Sequence, residues 1–197
     1  MTDSDSGTTF DSSRSVDELF TEMQSIQAQR KTPPVHLWHP ARQGAIDIVI
    51  RRDGSWWHEG SKIRRPKLVS LFASILRLDE DGFCLVTPAE RLRIEVEDAP
   101  FVAVDLDVRD PGTATQTLLF TTNLDEYVVL DATHGLRVVE TPTGPHPYIE
   151  VRAGLQALVN RAVFYRLVEY GEERPGAAFT GKLWVTSAGE HFCLGEL

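Results

Sequence analysis

The stretch AIDIVIRRDGSWWHEGSKIRRPKLVSLFASILRLDEDGFCLVT, residues 45–87, constrains the fold more than any other part of the chain. It reads as strand, turn, strand, helix, strand. Ile46 to Ile50 is rich in β-branched residues and runs into Asp53-Gly54, a turn pair. Trp56, Trp57, His58 and Glu59 form a second strand, Pro66 opens a helix and Gly82 leads into another strand. Proline suits a first helical turn because its missing N–H has no intrahelical partner there. The helix is expected from Pro66 to about Leu78. Leu68, Val69, Leu71, Phe72, Ala73, Ile75 and Leu76 cover more than one stripe of it, so it is buried on several sides. The class that follows is α+β.

A chain of 197 residues suits one or two small domains. Its net charge of −9 opposes binding to a long phosphate backbone, which needs a basic face. Cys84 and Cys193 both sit in apolar, strand-like runs, which points to buried thiols rather than a disulfide scaffold. MTDSDSGTTF has no apolar signal-peptide core, and no apolar run reaches the length of a membrane span. A cytoplasmic, bacterial-type protein is the expectation.

The N-terminal 34 residues read as a disordered tail followed by a helical arm. Ser15-Val16-Asp17-Glu18 has capping-box spacing, and Val16, Leu19, Phe20, Met23 and Ile26 share a helical face up to Pro33-Pro34. A first domain over 35–97 and a second over 98–197 follow. From Phe101 the pattern alternates strictly, with Val102, Val104, Leu106 and Val108 facing one way, as in a half-buried antiparallel strand. Asp110-Pro111-Gly112 turns into a hairpin partner over Thr115–Thr122, and Tyr127–Leu130 is the next strand. Pro142, Pro145 and Pro147 read as a stiff connector. A strand near Tyr148–Val151 then leads to the longest helix, about Ala153 to Tyr170, and two strands at Lys182–Thr186 and His191–Leu194 close the chain.

Three matches in the same order suggest an internal duplication. Asp53-Gly54 matches His134-Gly135; Arg65-x-x-Leu68-x-x-Leu71 matches Arg152-x-x-Leu155-x-x-Leu158; Gly82–Ala89 matches Gly181–Ala188. DGSWWHEGSKIRRPKLVSLFASIL, LVTPAE at 85–90, VEDAPF at 96–101, FTTN at 120–123 and YIEVRAGLQALVNRAVFYRLVE at 148–169 resemble the bacterial domain-of-unknown-function family 1285. The resemblance covers nearly everything after residue 35. It implies a duplicated α+β architecture whose second domain is superficially like a pleckstrin-homology fold. It also implies a site between domains for a nucleotide-like ligand, and a role in signal transduction. Lys62 and Gly135 depart from the family pattern at two loops. The family supplies no established catalytic residue.

Enzyme signatures fail on spacing or context. Gly176–Lys182 has P-loop glycines, but Leu183 stands where Ser or Thr must hold magnesium, and Lys182 opens a strand. His58-Glu59 begins like a zinc-protease helix, yet Lys62 replaces the second histidine. His36 and His39 are three apart, but no second ligand pair follows at finger spacing. No metal or cofactor is expected. What remains is a polar set: Arg65 and Arg152, each placed just before a helix, with Arg64 and Lys67 adding charge and Trp56, His58, Glu59, Tyr148 and Tyr165 nearby in the pattern. A cation at a helix start opposes the dipole and asks for an anion, either a protein carboxylate such as Glu59 or Glu150 or a ligand phosphate. The leading reading is a non-catalytic sensor or signalling adaptor for a small, anionic, nucleotide-like ligand. The alternatives are a hydrolase or transferase using His58 and Glu59, and a structural interaction module. A protein partner or a second copy of the chain remains open.

Overall fold

The computed structural model describes residues 33–142, 144–173 and 181–196. The expected tail and helical arm lie outside them, as do residues 176–180 of the P-loop-like segment. The chain divides into two compact units. One comprises the described residues from 33 to Ile50 together with Ser55–Val96; the other comprises Arg51–Gly54 and the described residues from Glu97. Two helices serve fifteen strands among the described residues.

In the first unit a 3-10 turn at Val35–Leu37 precedes β1 (Arg42–Ile50), β2 (Trp56–His58) and β3 (Ser61–Lys62). Helix α1 (Pro66–Ser74) follows, and then β4 (Leu76–Asp79), β5 (Gly82–Val86) and β6 (Glu90–Val96). The sheet order is β3-β2-β1-β6-β5-β4. Each trio is an antiparallel meander, and the two meet at the centre through the parallel pair β1 and β6. Of the two adjacent tryptophans, Trp56 is the core residue. It is 1% exposed and its ring lies 6.2 Å from that of Phe72 on α1. Trp57 faces the other way, as strand geometry requires, and its indole N–H donates to Ser55 Oγ at 2.8 Å.

Helix α1 stops four residues earlier than its apolar content suggests. Ser74 Oγ donates to the Leu71 carbonyl, a side-chain bond that competes with the helix backbone. Leu76-Arg77-Leu78-Asp79 then alternates with period two, and it pairs with β5 from Leu76 opposite Leu85 to Asp79 opposite Gly82. A hairpin satisfies both backbones and buries Leu76 and Leu85.

The second unit holds β7 (Phe101–Arg109), β8 (Thr117–Thr122), β9 (Tyr127–Val129), β10 (Leu136–Thr141), β11 (Gly144–Arg152) and β12 (Leu155–Val159). Helix α2 (Arg161–Val168), β13 (Glu172–Glu173), β14 (Lys182–Ser187) and β15 (Glu190–Glu196) follow. The main sheet has the order β10-β11-β12-β7-β8-β9, with β12 and β7 parallel; β13, β14 and β15 make a small third sheet. Buried Ser187 ties the two together, accepting from Leu118 N at 2.9 Å and donating to the Leu130 carbonyl at 2.6 Å.

Four expectations need correction here. Val104 is 43% exposed rather than inward, because a register shift between Ala103 and Asp105 breaks the alternation of β7. Pro145 and Pro147 are not a connector but part of β11, paired to β10 on one side only. The helix expected over about Ala153 to Tyr170 is present only in its second half, as α2. Ala153 and Gly154 both have positive φ and turn β11 into β12, and Asn160 caps α2 by accepting from Val163 N at 2.8 Å. Finally, the three sequence matches fall on non-equivalent elements. Asp53-Gly54 follows a first strand whereas His134-Gly135 precedes a fourth, and Gly82 opens a main-sheet strand whereas Gly181 precedes the third sheet. The likeness between the units lies elsewhere: read from opposite edges, the two main sheets have the same strand order. Among the described residues no helix is long and apolar enough to cross a membrane.

Candidate functional site

The structure scatters the residues singled out by sequence. In the first unit Arg65 is the N-cap of α1, exposed and without a side-chain capping bond, and Arg64 and Lys67 flank it on the surface. Only Arg65 fulfils the expected placement before a helix. His58 and Glu59 lie at the tip of the β2–β3 hairpin, where Glu59 and Gly60 have φ of 47° and 71°, the geometry of a tight two-residue turn. The His58 ring donates from Nδ1 to the Asp47 carbonyl at 2.8 Å rather than to Glu59. Neither residue lines the cavities described below.

In the second unit Arg152 is the last residue of β11, not a helix start. Its guanidinium bonds to Glu126 and lies 5.0 Å over the ring of Phe101. Glu126 is thus one carboxylate partner of Arg152. Tyr148 is 9% exposed and donates to Asp98 Oδ1 at 2.8 Å, while Asp98 Oδ2 accepts from Arg52 at 2.8 Å and Arg137 covers the Tyr148 ring. Burial, then the Asp98 carboxylate, pushes the phenol above its ordinary value. That network holds Tyr148 in place and leaves little of it to meet a ligand.

Tyr165 does border a pocket. Antiparallel pairing of β11 with β12 stops at Tyr148 opposite Leu158, because the chain turns at Asn160 into α2. The Pro145–Pro147 stretch is thereby left without a strand on that side. A pocket of about 260 Å³ fills the gap, lined by Pro145, His146, Pro147, Leu158, Phe164 and Tyr165, with Asn160 and Arg161 at the helix start. Arg161 Nε donates to Tyr165 Oη at 2.9 Å and its guanidinium carbon sits 5.5 Å from the ring centre. None of the described residues lining this pocket is acidic, although the whole chain carries −9.

The first unit contains a different cleft, of about 710 Å³, that sequence reasoning missed. Three neighbouring strands present Arg77, Asp79, Cys84 and Arg91 on one face. Arg77 grips Asp79 with both arms, Nε to Oδ1 at 2.7 Å and Nη2 to Oδ2 at 2.9 Å. Its remaining terminus donates to the carbonyls of Val35 and Trp38, fixing the entering chain. Arg91 Nε adds a bond to Asp79 Oδ2 at 2.7 Å, and Arg91 also bonds to Asp81. The Arg77 fork, joined by Arg91 and Cys84, holds the Asp79 carboxyl far below the usual carboxylate range despite burial. Burial, with Asp79 beside it, pushes the Cys84 thiol up to about 11, which keeps it protonated and unreactive. His36 and His39 line the outer part of this cleft, but among the described residues no group of three or more His, Cys, Asp or Glu is placed to hold a metal ion.

Comparison with known proteins adds the family. Residues 33–99 match the model described as the N-terminal domain of a domain of unknown function, DUF1285, and residues 100–194 match that of the DUF1285 C-terminal domain. A DUF1285 family protein from Silicibacter pomeroyi DSS-3 has a similar crystal structure. It is 42% identical, with a TM-score of 0.78 over 89% of this chain and 95% of that one. Another, from Shewanella baltica OS155, is 28% identical, with a TM-score of 0.49 over 62% of this chain and 91% of its own. No curated protein matches the chain. With both domain models matched end to end, the chain belongs to the DUF1285 family.

Proposed function

We propose that the protein is a non-catalytic binder of small, flat organic anions that serves signal transduction, with its site in the pocket beside Tyr165. The carrying observation is the acid-free lining of that pocket. An apolar slot with a single arginine at its mouth, in a chain of net charge −9, selects for one negative group on an apolar or aromatic body. Tyr165 is 55% exposed, so its ring is available to a planar ligand, and Arg161 is already stacked beside it. A volume near 260 Å³ lies at the lower edge of the range of about 300–1,000 Å³ for ligand sites, which limits the ligand to mononucleotide size or less.

Calorimetry and thermal shift with uridine monophosphate, orotate and benzoate test this reading. At least one of these probes should raise the melting temperature, and Arg161→Ala and Tyr165→Ala should each weaken it by about tenfold, the loss of one charge-assisted bond or one stacking partner. Unchanged affinity in both folded variants sinks the proposal.

The family resemblance extends this reading to origin. We also take the shared strand order of the two main sheets, each with a parallel central pair, as the trace of a duplicated six-stranded unit. The sheet-then-helix order of the second unit is what supports its likeness to a pleckstrin-homology fold. A crystal structure in which β1–β6 failed to superpose strand by strand on β7–β12 would remove the duplication.

A further inference from the structure

The cleft of the first unit offers a second kind of chemistry. Asp79 is consumed by its own neighbours: Oδ1 takes Arg77, and Oδ2 takes Arg77, Arg91 and Cys84. Arg91 is not. The residue is 8% exposed, and its Nε and Nη2 are used on Asp79 and Asp81. Its Nη1 has no acceptor among the described residues, yet it is not sealed from solvent, so it opens onto the cleft that Arg91 lines. The Arg91 side chain is only 10% exposed, so an acceptor that meets Nη1 in the cleft forms its bond in partly desolvated surroundings. Beside it Asp81 is half exposed, with only Oδ1 bonded to Arg91, and Glu80 is exposed on the same rim.

We propose that this cleft binds the head group of a free α-amino acid. The carboxylate accepts from Arg91 Nη1, and the ammonium is held by the second oxygen of Asp81 with Glu80. The spacing argues for this class over a simple anion. Arg91 and Asp81 already touch, so the open donor and the open acceptor are neighbours, and a ligand using both needs its charges separated by about one carbon. A pure anion would meet Asp81 and Glu80 as repulsion; a pure cation would meet Arg77 and Arg91. A zwitterion satisfies all of them. The volume of about 710 Å³ leaves room for a large side chain against Leu78 and Pro40.

Calorimetry of the full chain with a panel of L-amino acids tests the idea, followed by the N-acetyl and carboxamide forms of the tightest binder. The expected result is saturable binding of at least one amino acid and a loss of about tenfold or more when either end is blocked, since each block removes a charged hydrogen bond. Arg91→Lys probes the donor directly. Because Arg91 also holds Asp79, the exposed variants Glu80→Gln and Asp81→Asn serve as folded controls, and together they should weaken binding by about tenfold. Tyr165→Ala should leave it unchanged, which separates this cleft from the pocket of the second unit. No binding by any amino acid at millimolar concentration, equal binding of a blocked form, survival of binding in the Glu80→Gln/Asp81→Asn double variant, or loss of binding in Tyr165→Ala each overturns the proposal.

Discussion

The two main sheets share a strand order and use it differently. In the first unit the helix lies between the two meanders, carrying the chain from β3 to β4; in the second the same passage, from β9 to β10, is a loop, and the helix comes only after β12. The loop holds itself: Asp131 Oδ1 accepts from Thr133 N and His134 N, each at 2.8 Å, an Asx turn in place of a helix. A parallel central pair therefore does not depend on a helical crossover in this chain. Freed from that task, α2 can leave β12 early and open a pocket beside the prolines of β11. The first unit keeps its helix for the core and instead places charge on a strand face. One unit binds its charges tightly to each other; the other leaves a mouth with a single sign.

The largest effect should come from breaking the charged face. Asp79→Ala leaves two mostly buried arginines without their shared carboxylate, a change expected to destabilise by about 3–5 kcal/mol. Urea denaturation checks it. The same group gives the acid limb of stability its shape. Folding lowers the proton affinity of Asp79, so as pH falls the unfolded chain takes up the proton first, near the ordinary value of 3.8. The contribution is whole above that value and is lost as pH drops through it toward the much lower folded value. Asp79→Asn should flatten the stability profile below about pH 4; an unchanged profile means that the two arginines find other partners.

The turn Arg51–Gly54 sharpens the comparison because it counts with the second unit although it interrupts strands of the first. Gly54 has φ +78°, and a Cβ there would come within 2.6 Å of Asn123 Nδ2 and 3.0 Å of Val102 Cγ2. Asn123 cannot easily move: its Oδ1 accepts from Val102 N at 3.0 Å and its Nδ2 donates to the Gly54 carbonyl at 3.3 Å. Gly54→Ala should cost about 1–3 kcal/mol through strain and displacement. Faster amide hydrogen exchange at Val102 and Asn123 should accompany it. Exchange that instead rises along β1 would assign the turn to the first unit.

Much of this was readable from residue order, and the failures have physical causes. Pro66 marked the start of α1 because proline suits the first turn of a helix, and strand alternation put Trp56 and Trp57 on opposite faces without deciding which is core; Trp56, placed with the ligand set, is the buried one and meets no ligand. The end of α1 was missed because Leu76 and Leu78 fit a helical stripe as well as a strand; only pairing with β5 decides, and pairing is not local. The false long helix ignored two local signals, Ala153-Gly154 and the Asn160 cap, in favour of apolar content. The Arg77–Asp79–Arg91 centre could not be seen at all. Each residue looks like the solvated face of its own strand, and only the register of β4, β5 and β6 places them together. The same register-borne information was missing at Arg152, whose spacing to Leu155 imitated a helix although a turn lies between them.

The smallest expected effect tests whether the contrast between the units is one of kind. Arg152 and Glu126 in the second unit form an ion pair like those of Asp79, but their side chains are 29% and 34% exposed, against 17%, 23% and 10% for Arg77, Asp79 and Arg91. Solvent screens such a pair, and Arg152 keeps its second support in the ring of Phe101 when the carboxylate goes. Glu126→Gln should therefore destabilise by only about 0.5–1 kcal/mol. A double-mutant cycle with Arg152→Ala isolates the pair term and should return a coupling in the same small range. A coupling as large as the loss in Asp79→Ala would show that exposure is not what separates the two units. The contrast between a largely buried charged centre around Asp79 and an open, one-signed mouth would then fail at its simplest point.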